Sequence, residues 1–348
     1  MRERVLVGMS GGVDSATVAL LLQRAGYEVI GVTFRLWTGE GSDAEQGIRD
    51  AASICERLEI PHKVLDLEAC FHREVIGRFI RAYECGETPN PCIECNRHIK
   101  FSKMLELADS MGASYVATGH YARVEKAADG EYLLKKAVDE SKDQSYFLYS
   151  LSQETLSRVL FPLGGYTKAE VRAIAEENGF VNARKRDSQD ICFVKDGDYA
   201  SFIEGYTGKS FAEGDFIDAE GRALGRHKGM IRYTVGQRKG LGIALGRPMF
   251  VLGKNAAENT VTLGENEDLF SSSLTAYDAC FSVALDKNTP LMVYAKVRST
   301  QKETPALLTV LEDARFRVDF KTPQRAISRG QSVVLYSGDR VLGGGIIG

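Results

Sequence analysis

Val5-Leu6-Val7-Gly8-Met9-Ser10-Gly11-Gly12-Val13-Asp14-Ser15 is the stretch on which the fold turns. Its first half, 5–9, is a short apolar run that reads as a buried strand. Residues 16–25 are good helix formers with an apolar stripe at Val18, Leu21, Leu22 and Ala25, the spacing of a helix. The segment 10–15 is therefore a strand-to-helix turn. Gly11 and Gly12 remove side chains where the backbone must bend and approach a ligand closely. Free N–H groups at the start of the following helix favour an anion there. Asp14 and Ser15 can cap that helix. At a phosphate site Ser15 would donate a hydrogen bond and Asp14 would act through a magnesium ion. A Walker A loop is excluded, because the lysine which that motif requires is missing.

Outward from this turn the chain alternates. Strand-like runs at 28–36, 62–67 and 113–119 are interleaved with helical patterns at 43–58 and 70–83. Such alternation predicts a parallel, doubly wound α/β sheet, whose ligands bind at the carboxyl ends of the strands. The 10–15 loop, Phe34 with Arg35, and Gly119-His120 all fall at that end. An adenine nucleotide fits between them, with Phe34 against the base; Phe34 as plain core filler is the alternative reading.

At 348 residues, two or three domains are expected. With 44% apolar and 26% charged residues the composition is that of a soluble globular protein. No apolar run approaches the roughly 20 residues that span a bilayer. Arg-Glu-Arg and the first strand follow Met1 directly, which argues against a signal peptide and for a cytoplasmic protein without a membrane partner. Seven cysteines in such a chain point to thiol, redox or metal chemistry. A net charge of −3 does not advertise nucleic-acid binding, so any such surface must be a local patch.

Two prolines and a glycine make 84–97 a loop, followed by a helix over 97–111 with Asn96 as its cap. Cys92 and Cys95 then stand just before a helix N-terminus, which lowers a thiol pKa. A Cys-x-x-Cys pair alone also fits a redox pair or half a zinc site completed by His98 and Cys192. Ala-Asp-Gly at 128–130 marks a hairpin between 121–124 and 132–135. Residues 142–148, Lys-Asp-Gln-Ser-Tyr-Phe-Leu, read either as a loop feeding a buried aromatic pair or as a polar RNA-contact surface. Thr167 and Glu170 form a capping box for a helix that Gly179 ends. Cys192 follows a basic, polar loop, where a lone cysteine is most often a small buried residue. From about Gly205 helical periodicity stops. Positions 221–257 hold eight Lys/Arg and no Asp or Glu, either a solvated face or the footprint of a phosphate-rich partner. Strand-like runs through 271–348 predict a small antiparallel barrel.

Ser-Gly-Gly-Val-Asp-Ser (10–15) resembles the pyrophosphate loop of the N-type ATP pyrophosphatases, which cleave ATP between the α and β phosphates. Further motifs are Thr-Pro-Asn-Pro-Cys-x-x-Cys-Asn-Arg-x-Ile-Lys-Phe (88–101), Ala-Thr-Gly-His-Tyr (117–121), the 142–148 stretch and Asp-Ser-Gln-Asp-Ile-Cys-Phe (187–193). Tyr-Thr-Val-Gly-Gln-Arg-Lys-Gly-Leu-Gly-Ile (233–243) and Gly-Gly-Gly-Ile-Ile (343–347) complete the set. Together they resemble the bacterial tRNA-specific 2-thiouridylases over almost the whole chain.

The resemblance implies a pyrophosphatase domain over 1–205, a small, β-rich, basic tRNA-binding domain over 206–270 and a tRNA-gripping β-barrel over 271–348. It implies ATP with Mg2+, release of AMP and pyrophosphate, and sulfur insertion at C2 of the wobble uridine (position 34) of tRNA. The sulfur would come from an upstream carrier or cysteine desulfurase relay. By the same resemblance Cys95 is the nucleophile, Cys192 the persulfide bearer and Asp14 a catalytic loop residue. Gly8, Met9, Ser10, Gly11, Gly12, Val13, Asp14, Ser15, Phe34 and Gly119 would hold ATP. Asn90, Pro91 and Cys92 would face the target base, and His120, Asp143, Gln144, Ser145, Arg298, Ser299 and Gln331 would contact tRNA. Cys92 departs from a pattern that often has Asp there, and Ser299 stands where an aromatic often follows the Arg. Cys92, Cys95 and Cys192 are therefore also candidate ligands for three irons of a [4Fe–4S] cluster whose open iron carries the sulfur. Two other classes compete: an amide-forming ligase for a small metabolite, which leaves the cysteines unexplained, and a non-enzymatic RNA-binding protein, which leaves the ATP loop idle.

Overall fold

The structure is a computed structural model that describes residues 2–39, 43–180, 191–194, 197–244, 246–287 and 289–348. The first half of the 187–193 motif, 187–190, lies outside the described residues.

Five parallel strands form the first sheet: β1 (Arg4–Gly8), β2 (Glu28–Arg35), β3 (His62–Asp66), β4 (Tyr115–Ala117) and, after the hairpin β5 (Ala122–Lys126) and β6 (Tyr132–Lys136), β7 (Val159–Leu160). Their spatial order is β3-β2-β1-β4-β7, so the winding reverses between β1 and β4. That is the switch point where an open α/β sheet leaves a crevice. Val5, Leu6 and Val7 are fully buried, as expected for a central strand covered on both faces. Helix Val13–Arg24 buries Ala16, Val18, Ala19, Leu20 and Leu22, more than the one stripe expected. It is sandwiched, with Val171 and Ala175 of helix Lys168–Glu177 in the same core cluster. The Thr167–Glu170 capping box of that second helix is formed.

The 84–97 reading needs correction. Asn90 caps a helix that starts at Pro91, its side chain accepting from Cys92 N at 3.2 Å. The prolines that signal a loop are here a Pro at the first helical position, where its missing N–H costs nothing. The helix runs Pro91–Cys95, widens into a π-helical turn at Asn96–Phe101 and continues over Ser102–Ser110. Asn96 caps nothing; it is buried and donates to Phe147 O at 3.0 Å.

Beyond helix Tyr199–Thr207 the chain is built of strands. β8 (Gly214–Ile217), β9 (Ala223–His227), β10 (Phe250–Asn255) and β11 (Thr260–Gly264) make a four-stranded sheet in the order β10-β11-β8-β9. Half of the basic residues in the acid-free run 221–257 are paired with acids from outside it. Arg222 pairs with Asp218 and Glu220, Arg226 with Asp215, Arg232 with Glu204 and Arg247 with Glu265. Lys228, Arg238 and Lys239 stay exposed.

Six antiparallel strands then close a barrel: β12 (Phe270–Phe281), β13 (Leu291–Lys296), β14 (Thr304–Val310), β15 (Phe316–Arg325), β16 (Ser332–Ser337) and β17 (Arg340–Ile347), with β12–β17 pairing as the seam. The β5–β6 hairpin extends this sheet through Lys135 against Arg340. A piece of the first 205 residues is thereby locked to the barrel. Among the described residues, no helix is long and apolar enough to cross a membrane.

Candidate active site

A cavity of about 410 Å³ opens at the carboxyl ends of β1, β2 and β4, with Gly8, Met9, Ser10, Asp14, Ser15, Phe34 and Gly119 among its walls. The segment 10–15 is folded on itself. Ser10 N donates to Ser15 Oγ at 3.2 Å, and Ser15 Oγ donates to Gly12 O at 3.1 Å. Gly11 has φ of +72°, and a Cβ there would lie 2.7 Å from both Asp50 Cβ and Gly47 O. Only glycine meets both demands. A Cβ on Gly119 would stand 3.0 Å from Asp14 Cβ, so this glycine lets β4 close onto the loop.

Asp14 does not cap the helix, which starts at Val13 after an extended Gly12 that makes no side-chain cap bond. Both Asp14 carboxylate oxygens accept from Lys168 Nζ at 2.8 Å, and Oδ1 also accepts from Tyr121 Oη at 3.0 Å. Lys168 is buried. In sequence it reads only as the first residue after a helix cap; nothing local aims it at a loop 154 positions away. With an ammonium on both oxygens, Asp14 is not an open carboxylate for magnesium. Magnesium would travel on the phosphates, as is usual for nucleotide sites.

Beside this cavity stands a group of thiols. Cys95 is buried, while Cys92 and Cys192 open to solvent from surroundings dense enough to disfavour their thiolates. Phe193 anchors Cys192 by packing among Phe71, Phe79 and Phe202, ring centroids 5.1–5.7 Å away. Burial pushes the Cys95 thiol up to about 12; Lys100 opposes the rise, and Cys192 and Cys92 add to it. Burial likewise raises Cys92 and Cys192, against the pull of Lys100. The lowered thiol pKa expected from a nearby helix N-terminus is thus reversed: Cys95 sits in the second turn, not ahead of the first, and desolvation outweighs the dipole. All seven cysteines are free. Among the described residues, no three Cys, His, Asp or Glu side chains converge as a metal-binding group. Among the described residues, Cys92, Cys95 and Cys192 therefore make no ready-formed cluster or zinc site. His98 turns instead toward Glu94, Nε2 to Oε2 3.4 Å.

The residues expected to meet tRNA divide into two sets. His120 and Gln144 line the glycine-loop cavity. His120 hydrogen-bonds Thr118 Oγ1 at 2.7 Å and is held well below its ordinary pKa by burial, aided by Lys100. Asp143 accepts from Ala137 N and from Ser145 Oγ, and Ser145 is fully buried. Both therefore brace the turn that presents Gln144. Arg298 donates to Ala326 O at 2.6 Å and to Ser328 Oγ at 3.0 Å, while Ser299 beside it is half-buried. Gln331 donates to Thr88 O at 2.8 Å, and Arg97 pairs with Asp278 at 2.6 Å. These last two contacts tie the barrel to the segment bearing Asn90, Pro91 and the cysteines.

Family profiles match in three blocks: "tRNA methyl transferase HUP domain" over residues 3–196, "tRNA methyl transferase PRC-barrel domain" over 200–265 and "Aminomethyltransferase beta-barrel domain" over 271–347. A tRNA-specific 2-thiouridylase MnmA of Acetivibrio thermocellus is 50% identical over 357 aligned residues, covering 99% of each chain. One of Clostridioides difficile is 48% identical over 355 residues, covering 100% of this chain and 98% of that one. Among solved structures, the U34-tRNA thiolase NcsA of Methanococcus maripaludis, with its [4Fe–4S] cluster, is 19% identical at a TM-score of 0.36, covering 59% of this chain and 63% of that one. That likeness is too loose to bear on the site. On the full-length identity to its relatives, the chain belongs to the tRNA-specific 2-thiouridylase family.

Proposed function

We propose that this protein is an ATP-dependent sulfurtransferase that converts the wobble uridine of tRNA to 2-thiouridine. The observation that carries the reading is the neighbourhood of Cys95 and Cys192 beside the glycine-loop cavity, where Lys100 acts on the thiols and lines the cavity as well. An amide-forming ligase has no use for thiols at that place.

The C2 oxygen of uridine is a poor leaving group. Its attack on the α-phosphate of ATP expels pyrophosphate and leaves O2 adenylated. The loop N–H groups and the helix Val13–Arg24 behind them favour the phosphate charge. The base must leave its stack to reach this point, as in other base-modifying chemistry. A persulfide on Cys192, delivered by an upstream carrier, attacks C2 through its terminal sulfur. The S–C2 bond forms, the C2–O2 bond breaks, and the electron pair leaves with AMP. Cys95 thiolate then attacks Cys192 Sγ. The new Cys95–Cys192 disulfide releases the thiocarbonyl, and an external thiol reopens it.

The test supplies tRNA with an unmodified wobble uridine, MgATP and a persulfide donor. The expected result is 2-thiouridine with one AMP per thiolation, and no AMP without tRNA. AMP formed equally well with small acids and ammonia would move the chain to the ligases.

Two further results follow from the thiols. Cys92 has no role in the sulfur path, so C92A should retain thiolation within about threefold; loss of activity together with loss of protein-bound iron would restore the cluster scheme. Cys95 must also lose a proton from a thiol pushed up to about 12. Below that value its thiolate fraction rises with pH. The disulfide-forming step should therefore accelerate about tenfold per unit between about pH 6 and 9, read as single-turnover release of thiolated tRNA. A flat profile would mean that substrate binding has already deprotonated Cys95.

A further inference from the structure

Among the described residues, Lys100 is the one Lys or Arg lining the glycine-loop cavity, and it belongs to the thiol-bearing helix rather than to the glycine loop. From Pro91–Cys95 the chain passes directly into the π-helical turn Asn96–Phe101. In an α-helix, residues five apart point about 140° away from each other. A π turn closes its hydrogen bonds five residues apart and brings the fifth residue back over the first. That widening lets Lys100 serve the face that carries Cys95. Its charge acts on Cys92, Cys95 and Cys192 on one side and on His120 on the other.

The side chain is half-buried, and among the described residues it forms neither a hydrogen bond nor an ion pair. The contrast with Lys168 is direct, since the charge of that buried lysine is spent on Asp14. A partly desolvated ammonium without a counter-ion is costly unless an anion comes to it. Two anions meet at this place if the proposed thiolation is correct, and the inference rests on that reading: the attacking persulfide and the departing phosphate.

We propose that Lys100 is a catalytic residue that contacts the α-phosphate of the adenylated uridine and stabilises the negative charge passing from sulfur to AMP. As the S–C2 bond forms and the C2–O2 bond breaks, the charge that enters on sulfur leaves on the AMP oxygen, beside the same cation. One group thus serves both ends of the displacement, which is why it stands on the thiol helix while reaching into the ATP cavity.

The test compares full-length wild type, K100M, K100R and K100A with MgATP, tRNA and a persulfide donor. K100M keeps most of the stem volume, so packing is preserved. Its single-turnover thiolation should fall about 10²–10³-fold, the usual cost of losing one preorganised charge donor, while ATP and tRNA binding change by less than about threefold. K100R should recover part of the rate. Added ethylammonium should accelerate K100A in a concentration-dependent way, which a structural lysine would not allow. Near-wild-type thiolation by K100M overturns the proposal. So does a loss that neither arginine nor ethylammonium repairs and that comes with lost tRNA binding or a lowered Tm. Wild-type enzyme that releases AMP only with small acids and ammonia fails the thiolation reading on its own arm, and the proposal falls with it.

Discussion

Replacing Cys192 by alanine is expected to abolish tRNA thiolation, a loss of at least about 10³-fold, because in the proposed route its persulfide is the sulfur source and no other group substitutes for a covalent carrier. AMP formation should survive this change. Adenylation of O2 needs the loop and the nucleotide, not the thiol, and the adenylated base would hydrolyse or accumulate. C95A should lose thiolation to the same degree at a later point. Sulfur should become trapped as a Cys192–S–S–C2 adduct with the tRNA, visible as a thiol-sensitive protein–RNA band. The pair of variants thus separates attack from release. Surviving thiolation in C192A would defeat the persulfide route, and equal trapping by both variants would defeat the assignment of their order. Neither side chain is a large packing element, Cys192 being exposed, so both proteins should fold.

Asp14→Ala acts at the other end of the reaction. It should remove tRNA-dependent AMP formation by about 10²–10³-fold, because the loop loses the residue that ties it to helix Lys168–Glu177 through Lys168 and to the segment after β4 through Tyr121. It also takes the carboxylate away from a buried ammonium. Complete burial of such a pair would make the loss about 3–5 kcal/mol. The Asp14 side chain is 29% exposed, so about 2 kcal/mol is the better expectation. K168M is the mirror change. It leaves a carboxylate facing the incoming phosphates and should raise the KM for ATP more than it lowers kcat. In a double-mutant cycle the two effects should be strongly non-additive, because each variant already breaks the same contact. Normal AMP release by D14A would sink the adenylation scheme.

The glycine loop was legible because its chemistry is local, whereas the roles expected of Cys95 and Cys192 came from the family resemblance and not from their own surroundings. A glycine pair between a strand and a helix means much the same wherever it occurs, and strand and helix periodicities are set within a few residues of each other. The barrel was legible for the same reason, from β-branched runs parted by turns. The helix start at Asn90-Pro91 was open to reading as well: a cap residue before a proline is a helix signal as much as a loop signal.

Other features depend on partners distant in the chain. The direction of the thiol pKa shifts could not be read from position before a helix, since burial by Ile99, Phe193 and their neighbours outweighs the dipole. The basic run looked unpaired because its acids, Glu204, Asp215 and Glu265, lie outside it. Lys168 on Asp14, Gln331 on Thr88 and the β5–β6 hairpin on β17 join residues from 154 to 243 positions apart or elements from opposite ends of the chain. By itself, then, the sequence determined the fold class and the glycine loop between strand and helix, which are properties of short stretches. Only the tertiary structure decided which charges are already spent, as Lys168 is on Asp14, because a charge is neutralised through space and not along the chain.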